Sequence, residues 1–473
     1  MLPSSHSLLT LASGASQKSR VSDEKTEIEL ETFTFHIHSS RQTTWKAVKI
    51  GQQCPWRIYH QRVSRNLYCV LLLPRRNVAA FLRDMPDSLM LSSLVLPGTH
   101  DTMAFYGWPV SQCQSLATPL AIQLQSGIRV IDIRLAVVDG RLLAYHGISP
   151  QHATFQSILT VVHDFLSAPE TCRETIVMSL KQEDFTKVDW STFSEKVRGE
   201  ISEGSGGRDM WFLENRIPFL GEVRGKVVMF SRFGGDGSGW EGGLEGMGIH
   251  PSTWPDSLKN GFTWKCKDTL VRTHDWYNIP SFLSIPEKVT LAREILLPLE
   301  TSLSPQPSLA ISYFSAASFP FAFPSMVALG FGWPRVGLGV EGVNARVGKW
   351  LLDELTQGDV TTELGRRIRK EPRVRGWVMM DFFQDPLDVG LIPLLVESRS
   401  LQFMSHRKKV FHIAPNTQET LIPSVFVDQS LVAPVCDIDG LSTNIQSSHR
   451  AKCGKYVQGW TVDVFLLWSL HVK

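Results

Sequence analysis

The chain of 473 residues is 43% hydrophobic and 20% charged, values of a globular protein and not of a disordered one. Its length suits one barrel-sized domain of about 250–300 residues with smaller appendages, or two to three ordinary domains. A formal charge of +2 gives no global signal for nucleic acid or for a membrane surface.

Residues 1–30 are polar and Ser-rich and read as a flexible N-terminus. A brief apolar stretch at residues 8–12 lacks both the basic flank and the length of a secretory leader. Over residues 31–86, runs such as "ETFTFHIHSS" and "RNLYCVLLLPRR" predict a small β-containing extension. It closes on "NVAAFLRDMPDS", which has the pattern of a helix.

From residue 87 to 398 strand-like and helical runs alternate. The strands read "SSLVL", "RVIDIRL", "LLAYH", "TIVMSLK", "KVVMFSRF", "DTLVRTHDWY", "LAISYFS" and "WVMMDFF". Between them lie helical runs such as "FQSILTVVHDFLSA", "WSTFSEKVRGEI", "EKVTLAREILLPLE" and "NARVGKWLLDEL". The alternation predicts an α/β fold with a parallel sheet. A count near eight favours a distorted TIM-like (β/α)8 barrel over an open doubly wound sheet. Residues 399–473 show no defensible period and stay unassigned. No apolar run approaches the roughly 20 residues of a membrane span.

The seven cysteines (Cys54, Cys69, Cys113, Cys172, Cys266, Cys436 and Cys453) are scattered, odd in number and without a C-x-x-C pair. They suggest neither a disulfide framework nor a zinc site. A reducing, cytoplasmic setting peripheral to membranes is expected, with secretion left open.

The reactive residues cluster by position. His100, Asp132, Arg134, His146, Lys181, Arg232, Asp275, Ser315 and Asp381 all fall at or just past the ends of strand-like runs. A barrel would gather them on the C-terminal face, where such folds keep their active sites. Two histidines, several carboxylates and an arginine suit acid–base cleavage of a phosphodiester. That reaction needs a base for the attacking hydroxyl, an acid for the leaving oxygen and a fixed cation for the phosphoryl charge.

Seven motifs stand in order: "LPGTHDTMA", "QLQSGIRVIDIRL", "YHG", "ETIVMSLKQE", "GKVVMFSRFGG", "HDWY" and "VMMDFF". In this combination residues 87–398 resemble the phosphatidylinositol-specific phospholipase C X-domain family in its metal-independent, bacterial-like form. They look especially like the fungal phospholipase-C-like phosphodiesterases. The resemblance implies His100 as general base oriented by Asp381, and His146 as general acid supported by Asp101. It implies Arg134 on the phosphate, and Lys181, Arg232, Asp275 and Tyr277 around an inositol ring. Asp132 joins this substrate side by buttressing Arg134. The implied substrate is an inositol phospholipid and the implied product a cyclic inositol phosphate, with no metal and no other cofactor. Where the family often has Gln-Asp before the ring-binding Tyr, this chain has His274-Asp275.

Blander readings stand beside these. Taken singly, each histidine is more often structural than catalytic, and a strand-end Asp381 often caps the next helix. Cys113 reads as packing, and His152, His163, His250 and His274 as structural or exposed. The Gly-rich residues 234–248 read as a mobile rim loop with no P-loop spacing. The aromatic segment 315–342 either caps the barrel or, through residues around Phe319, Phe321 and Trp333, makes transient contact with a membrane interface. Two rival functions remain at this level: a metal-dependent glycerophosphodiester or sphingomyelin-type phosphodiesterase, and a catalytically inactive lipid-binding barrel.

Overall fold

A computed structural model describes residues 17–23, 26–38, 44–64, 67–183, 187–297, 307–334, 337–356, 359–361, 367–369, 374–398, 409–413 and 459–469. The chain divides into two compact units, Met1–Arg75 with Met404–Lys473, and Arg76–Phe403.

The larger unit is built on one curled sheet. Among the described residues, eight strands run parallel in the order Trp211–Phe212, Val227–Arg232, Ile176–Gln182, Val130–Val138, Val95–Thr99, Gly376–Met380, Ser308–Tyr313, Thr269–His274. The central strands are covered on both faces and largely apolar: every residue of Val95–Thr99 and Gly376–Met380 is buried. Gly98 is required by closeness, since a Cβ there would lie 2.8 Å from the Val130 carbonyl oxygen. Helices cover the outside with one apolar stripe each. Phe155–Ser167 buries Phe155, Ile158, Leu159, Val162, Phe165 and Leu166, and its N-cap Thr154 accepts from the Ser157 amide.

The expected α/β barrel is therefore present in distorted form, with three corrections. "LLAYH" is not a barrel strand: Arg141–His146 runs antiparallel to Val130–Val138 and pairs onward with Ser149–Thr154. The eighth parallel position is taken instead by Trp211–Phe212, two residues long. Third, no ladder among the described residues joins that end to the opposite edge, where Phe262–Cys266 pairs antiparallel with Thr269–His274. The connecting chain passes through Pro251 and Pro255, which have no N–H to give a ladder.

"NVAAFLRDMPDS" is not a regular helix either. Only Val78–Ala80 forms a single 3-10 turn, capped by Asn77. Side chains claim the next backbone groups: Glu174 accepts from the Leu82 amide, and Arg224 donates to the Leu82 and Met85 carbonyls. Glu174 also holds Arg129 Nε at 2.8 Å, and both side chains are fully buried. Arg129 lies between the Phe81 and Phe165 rings.

In the smaller unit, Lys409–Ile413, Leu67–Pro74, Trp56–Ser64 and Lys46–Ala47 form an antiparallel sheet in that order. Its core holds Ile58, Tyr68, Val70 and Leu72. Gln17–Asp23 and Thr26–His38 pair as a hairpin, and Gly459–Ser469 adds a third strand. Strand therefore begins within the stretch read as flexible, and two strands lie in the tail left unassigned. Residues 1–16, with the apolar stretch at 8–12, lie outside the described residues.

Candidate active site

Register does the first work. Lys181 pairs with Arg134 on one side and Arg232 on the other, so three cations stand side by side on neighbouring parallel strands. Beside them lies a cleft of about 1150 Å³ whose walls include His100, Arg134, His146, Lys181, Arg232, Asp275, Tyr277 and Asp381. Asp101 and Asp132 sit behind that wall, 2% and 0% exposed. All ten anticipated residues thus belong to one constellation, and Ser315 is buried, next in sequence to the cleft-lining Ala316.

His100 follows the Val95–Thr99 strand. Its Nδ1 is 2.9 Å from Asp381 Oδ1. Its Nε2 is 2.9 Å from an Arg134 guanidinium nitrogen and 3.2 Å from Asp101 Oδ2. The first contact suits a bare Nε2 and the second a protonated one, so this nitrogen is poised between the two. Burial pulls the imidazole pKa down, but Asp101 and Asp381 outweigh it and raise it to about 8.

His146 arrives by the hairpin. Because Arg141–His146 doubles back along Val130–Val138, with Ala144 opposite Leu135, His146 returns to the level of the barrel mouth. Its Nδ1–H donates to the Ser111 carbonyl at 2.7 Å, and its Nε2 is 3.3 Å from Asp101 Oδ2.

Asp101 is the shared anion. Its Oδ2 faces both histidines and its Oδ1 pairs with Arg134 Nε. Burial alone would raise the carboxyl; Arg134, His100 and His146 hold it well below the ordinary carboxylate range. A φ of 42° puts this residue in the left-handed region, a backbone cost tolerated where it aims the side chain.

Arg134 is clamped. Besides Asp101, it has Asp132 Oδ2 at 3.8 Å and Glu183 Oε1 at 3.6 Å. Asp132 also accepts from Ser179 Oγ at 2.8 Å and lies 3.7 Å from Arg232. Asp132 is therefore an internal brace between two arginines and not a wall of the cleft. Arg134, more than burial, holds the Lys181 ammonium below its usual value, with Arg232 adding to the effect.

The opposite side is aromatic. The Arg232 guanidinium lies 4.0 Å from the Trp254 ring centroid, and Trp254 Nε1 donates to Asp275 Oδ2 at 2.9 Å. Tyr277 is partly exposed and donates its hydroxyl to Asp256. Tyr313 packs edge-on against His100, with centroids 6.0 Å apart.

Sequence reasoning missed Glu183, Trp254, Asp256 and Tyr313. It also set aside His250, which lines the cleft with Nδ1 3.0 Å from Ser231 Oγ. Nothing in spacing marks a Trp or Tyr that stacks on a distant arginine. Glu183, two residues after Lys181 in "SLKQE", carried the one usable signal. Cys113 is packing as expected: burial, Asp381 and Asp101 all push its thiol pKa up, away from nucleophilic use. His274 lies off the cleft, where burial above all holds its pKa near about 3 and its Nε2–H donates to the Lys259 carbonyl at 3.1 Å.

The Gly-rich rim, residues 234–248, is packed into place. Trp240 and Met247 are buried, and a Cβ on Gly235, at φ 44°, would collide with the Trp190 ring.

A curled parallel sheet carrying two histidines around a shared carboxylate, with a clamped arginine beside them, is an arrangement able to hold an anionic centre and to move protons beside it. Residues 100–233 match the family model "Phosphatidylinositol-specific phospholipase C, X domain". A 1-phosphatidylinositol phosphodiesterase of Listeria monocytogenes is 33% identical over 160 residues, which are 31% of this chain and 46% of that protein. The chain thus matches under half of that relative's length. The Staphylococcus aureus (strain Newman) protein of the same name is 28% identical over 257 residues, 51% of this chain and 76% of that protein. A double mutant of the phosphatidylinositol-specific phospholipase C from S. aureus superimposes with a TM-score of 0.52 at 21% identity, covering 69% of this chain and 98% of the other. That likeness establishes the barrel fold.

Proposed function

We propose that this chain cleaves an inositol phospholipid by intramolecular attack of a ring hydroxyl on phosphorus, releasing diacylglycerol and a cyclic inositol phosphate. The observation that carries the reading is the placement of His100 and His146 on either side of one carboxylate, Asp101, beside a fixed guanidinium.

His100 Nε2 takes the proton from the inositol 2-hydroxyl, while Asp381 on Nδ1 fixes its tautomer. The freed oxygen bonds to phosphorus, and charge building on the phosphoryl oxygens is met by Arg134, already oriented by three carboxylates. The bond from phosphorus to the glycerol oxygen breaks, and His146 Nε2–H protonates that oxygen. Lys181, Arg232 and Asp275 hydrogen-bond the ring hydroxyls, and Tyr277 stacks against the ring face. The carboxylates of Asp101, Asp132 and Glu183 all turn to Arg134, which supplies the positive charge a metal provides in the rival phosphodiesterases.

The same reading covers the rim. Phe319 lines the cleft, and Phe319, Phe321 and Trp333 are 73%, 60% and 72% exposed, which supports a rim role over burial in the barrel core. Their role is transient insertion at a lipid surface. No helix among the described residues is long and apolar enough to cross a membrane.

The test is incubation of purified protein with phosphatidylinositol vesicles in EDTA, following inositol phosphates by phosphorus NMR. Cyclic inositol phosphate is expected from wild type, with His146→Ala slower by about 10²–10⁴-fold. Activity only on adding calcium would replace this reading with a metal-dependent one. Binding without turnover in either condition would leave a lipid-binding barrel.

A further inference from the structure

Helix Ile285–Glu294 turns Ile285, Val289 and Ala292 inward, and among them Lys288. The lysine is 0% exposed, an uncommon place for an ammonium group. A methionine would fill comparable space without removing a charge from water, so packing alone does not account for it. Its Nζ donates to the Trp276 carbonyl at 2.8 Å. That carbonyl lies between Asp275 and Tyr277, both of which line the cleft.

We infer that Lys288 is a positioning residue for the head-group wall: from beneath the cleft it holds the main chain that presents Asp275 and Tyr277, and so governs KM more than kcat. The kinetic half of this inference rests on the phosphodiesterase reading above; the structural half does not. Other bonds hold the same segment from outside. Trp254 donates to Asp275, Ser257 Oγ accepts from the Asn278 amide at 2.8 Å, and the Ala317 amide donates to the Tyr277 carbonyl at 2.8 Å. Lys288 is the support from the helix Ile285–Glu294.

The charged and titratable groups that face Nζ are Asp275 and His274 at the end of the Thr269–His274 strand, and Asp381 past the Gly376–Met380 strand. Burial lowers the Lys288 pKa to about 7 against the pull of Asp275 and Asp381. The support is therefore a charge-assisted hydrogen bond in acid and a weaker amine–carbonyl bond in alkali. The head-group wall loosens as pH rises through about 7.

Two measurements test this on the full chain, wild type beside Lys288→Met. In the first, KM and kcat are followed against pH on a water-soluble inositol phosphodiester. Wild-type KM is expected to rise about tenfold from about pH 6 to about pH 8.5, while the variant's KM is high and flat and its kcat stays within about twofold. A variant KM that follows the wild-type course, or a kcat that falls with KM unchanged, overturns the inference. In the second, hydrogen exchange of the amides at residues 276–278, corrected for intrinsic rates, needs no substrate. Protection should fall with pH in wild type and be low throughout in the variant. Protection that is independent of pH in wild type overturns the inference even if the variant does not fold. Absence of product from wild type refutes the phosphodiesterase reading alone, and exchange still decides the role of Lys288.

Discussion

Asp101 serves both histidines and the arginine at once, so its loss cannot remove one function alone. Asp101→Asn and His146→Ala are expected to combine with far less than the sum of their separate effects on log kcat, which a double-mutant cycle reads directly. Asp381 is bonded through Oδ1 to His100 Nδ1. Asp381→Asn should lower kcat by about 10²–10⁴-fold. It should also move the acidic limb of the kcat/KM profile to lower pH, because one of the two carboxylates that raise the His100 pKa to about 8 is gone. The same shift has a sign for stability. His100 gains its partners on folding, so its contribution is full below pH 6.5 and is lost as pH climbs through about 8. Urea titrations across that window should show the wild type losing stability that His100→Ala does not lose. The chemistry-bearing residues were legible because each ends an apolar run and sits in a short motif. Trp254, Tyr313 and Lys288 were not, because their roles depend on what a distant strand or loop brings to them.

At the level of elements, strand periodicity was readable and strand direction was not. "LLAYH" has the apolar content of a barrel strand, yet only pairing shows that it turns back on Val130–Val138. Trp211–Phe212 is too short for any period to register. The helix pattern of "NVAAFLRDMPDS" was overridden because Arg224 and Glu174 engage its backbone from elsewhere in the fold. Close sheet packing yields a direct expectation. Gly98→Ala places a methyl against the Val130 carbonyl and should cost about 1–3 kcal/mol in a chemical denaturation curve. At the rim, replacing Phe321 and Trp333 with Ala should weaken sedimentation with phosphatidylinositol vesicles while leaving turnover of a soluble substrate near wild type. Unchanged vesicle binding would sink the interfacial role.

For the whole larger unit, catalysis and stability lie at opposite ends of the sheet. Arg129 and Glu174 precede the Val130–Val138 and Ile176–Gln182 strands, whose far ends carry Arg134 and Lys181. Glu174→Gln leaves Arg129 buried with its charge unmatched, and should cost about 3–5 kcal/mol of unfolding free energy with kcat near wild type. The unjoined edge of the sheet carries a different lesson. His100, Arg134 and Lys181 stand on or directly after laddered strands, whereas His250, Trp254 and Asp256 come from the connecting chain that crosses the gap. The laddered strands, which also carry Arg232 and lead into Asp275, are thus the chassis of the site, and the connecting chain is a panel of bodywork on one side of the cleft. If the proposed reaction holds, that panel can be lengthened or reshaped for a bulkier head group with the engine left untouched.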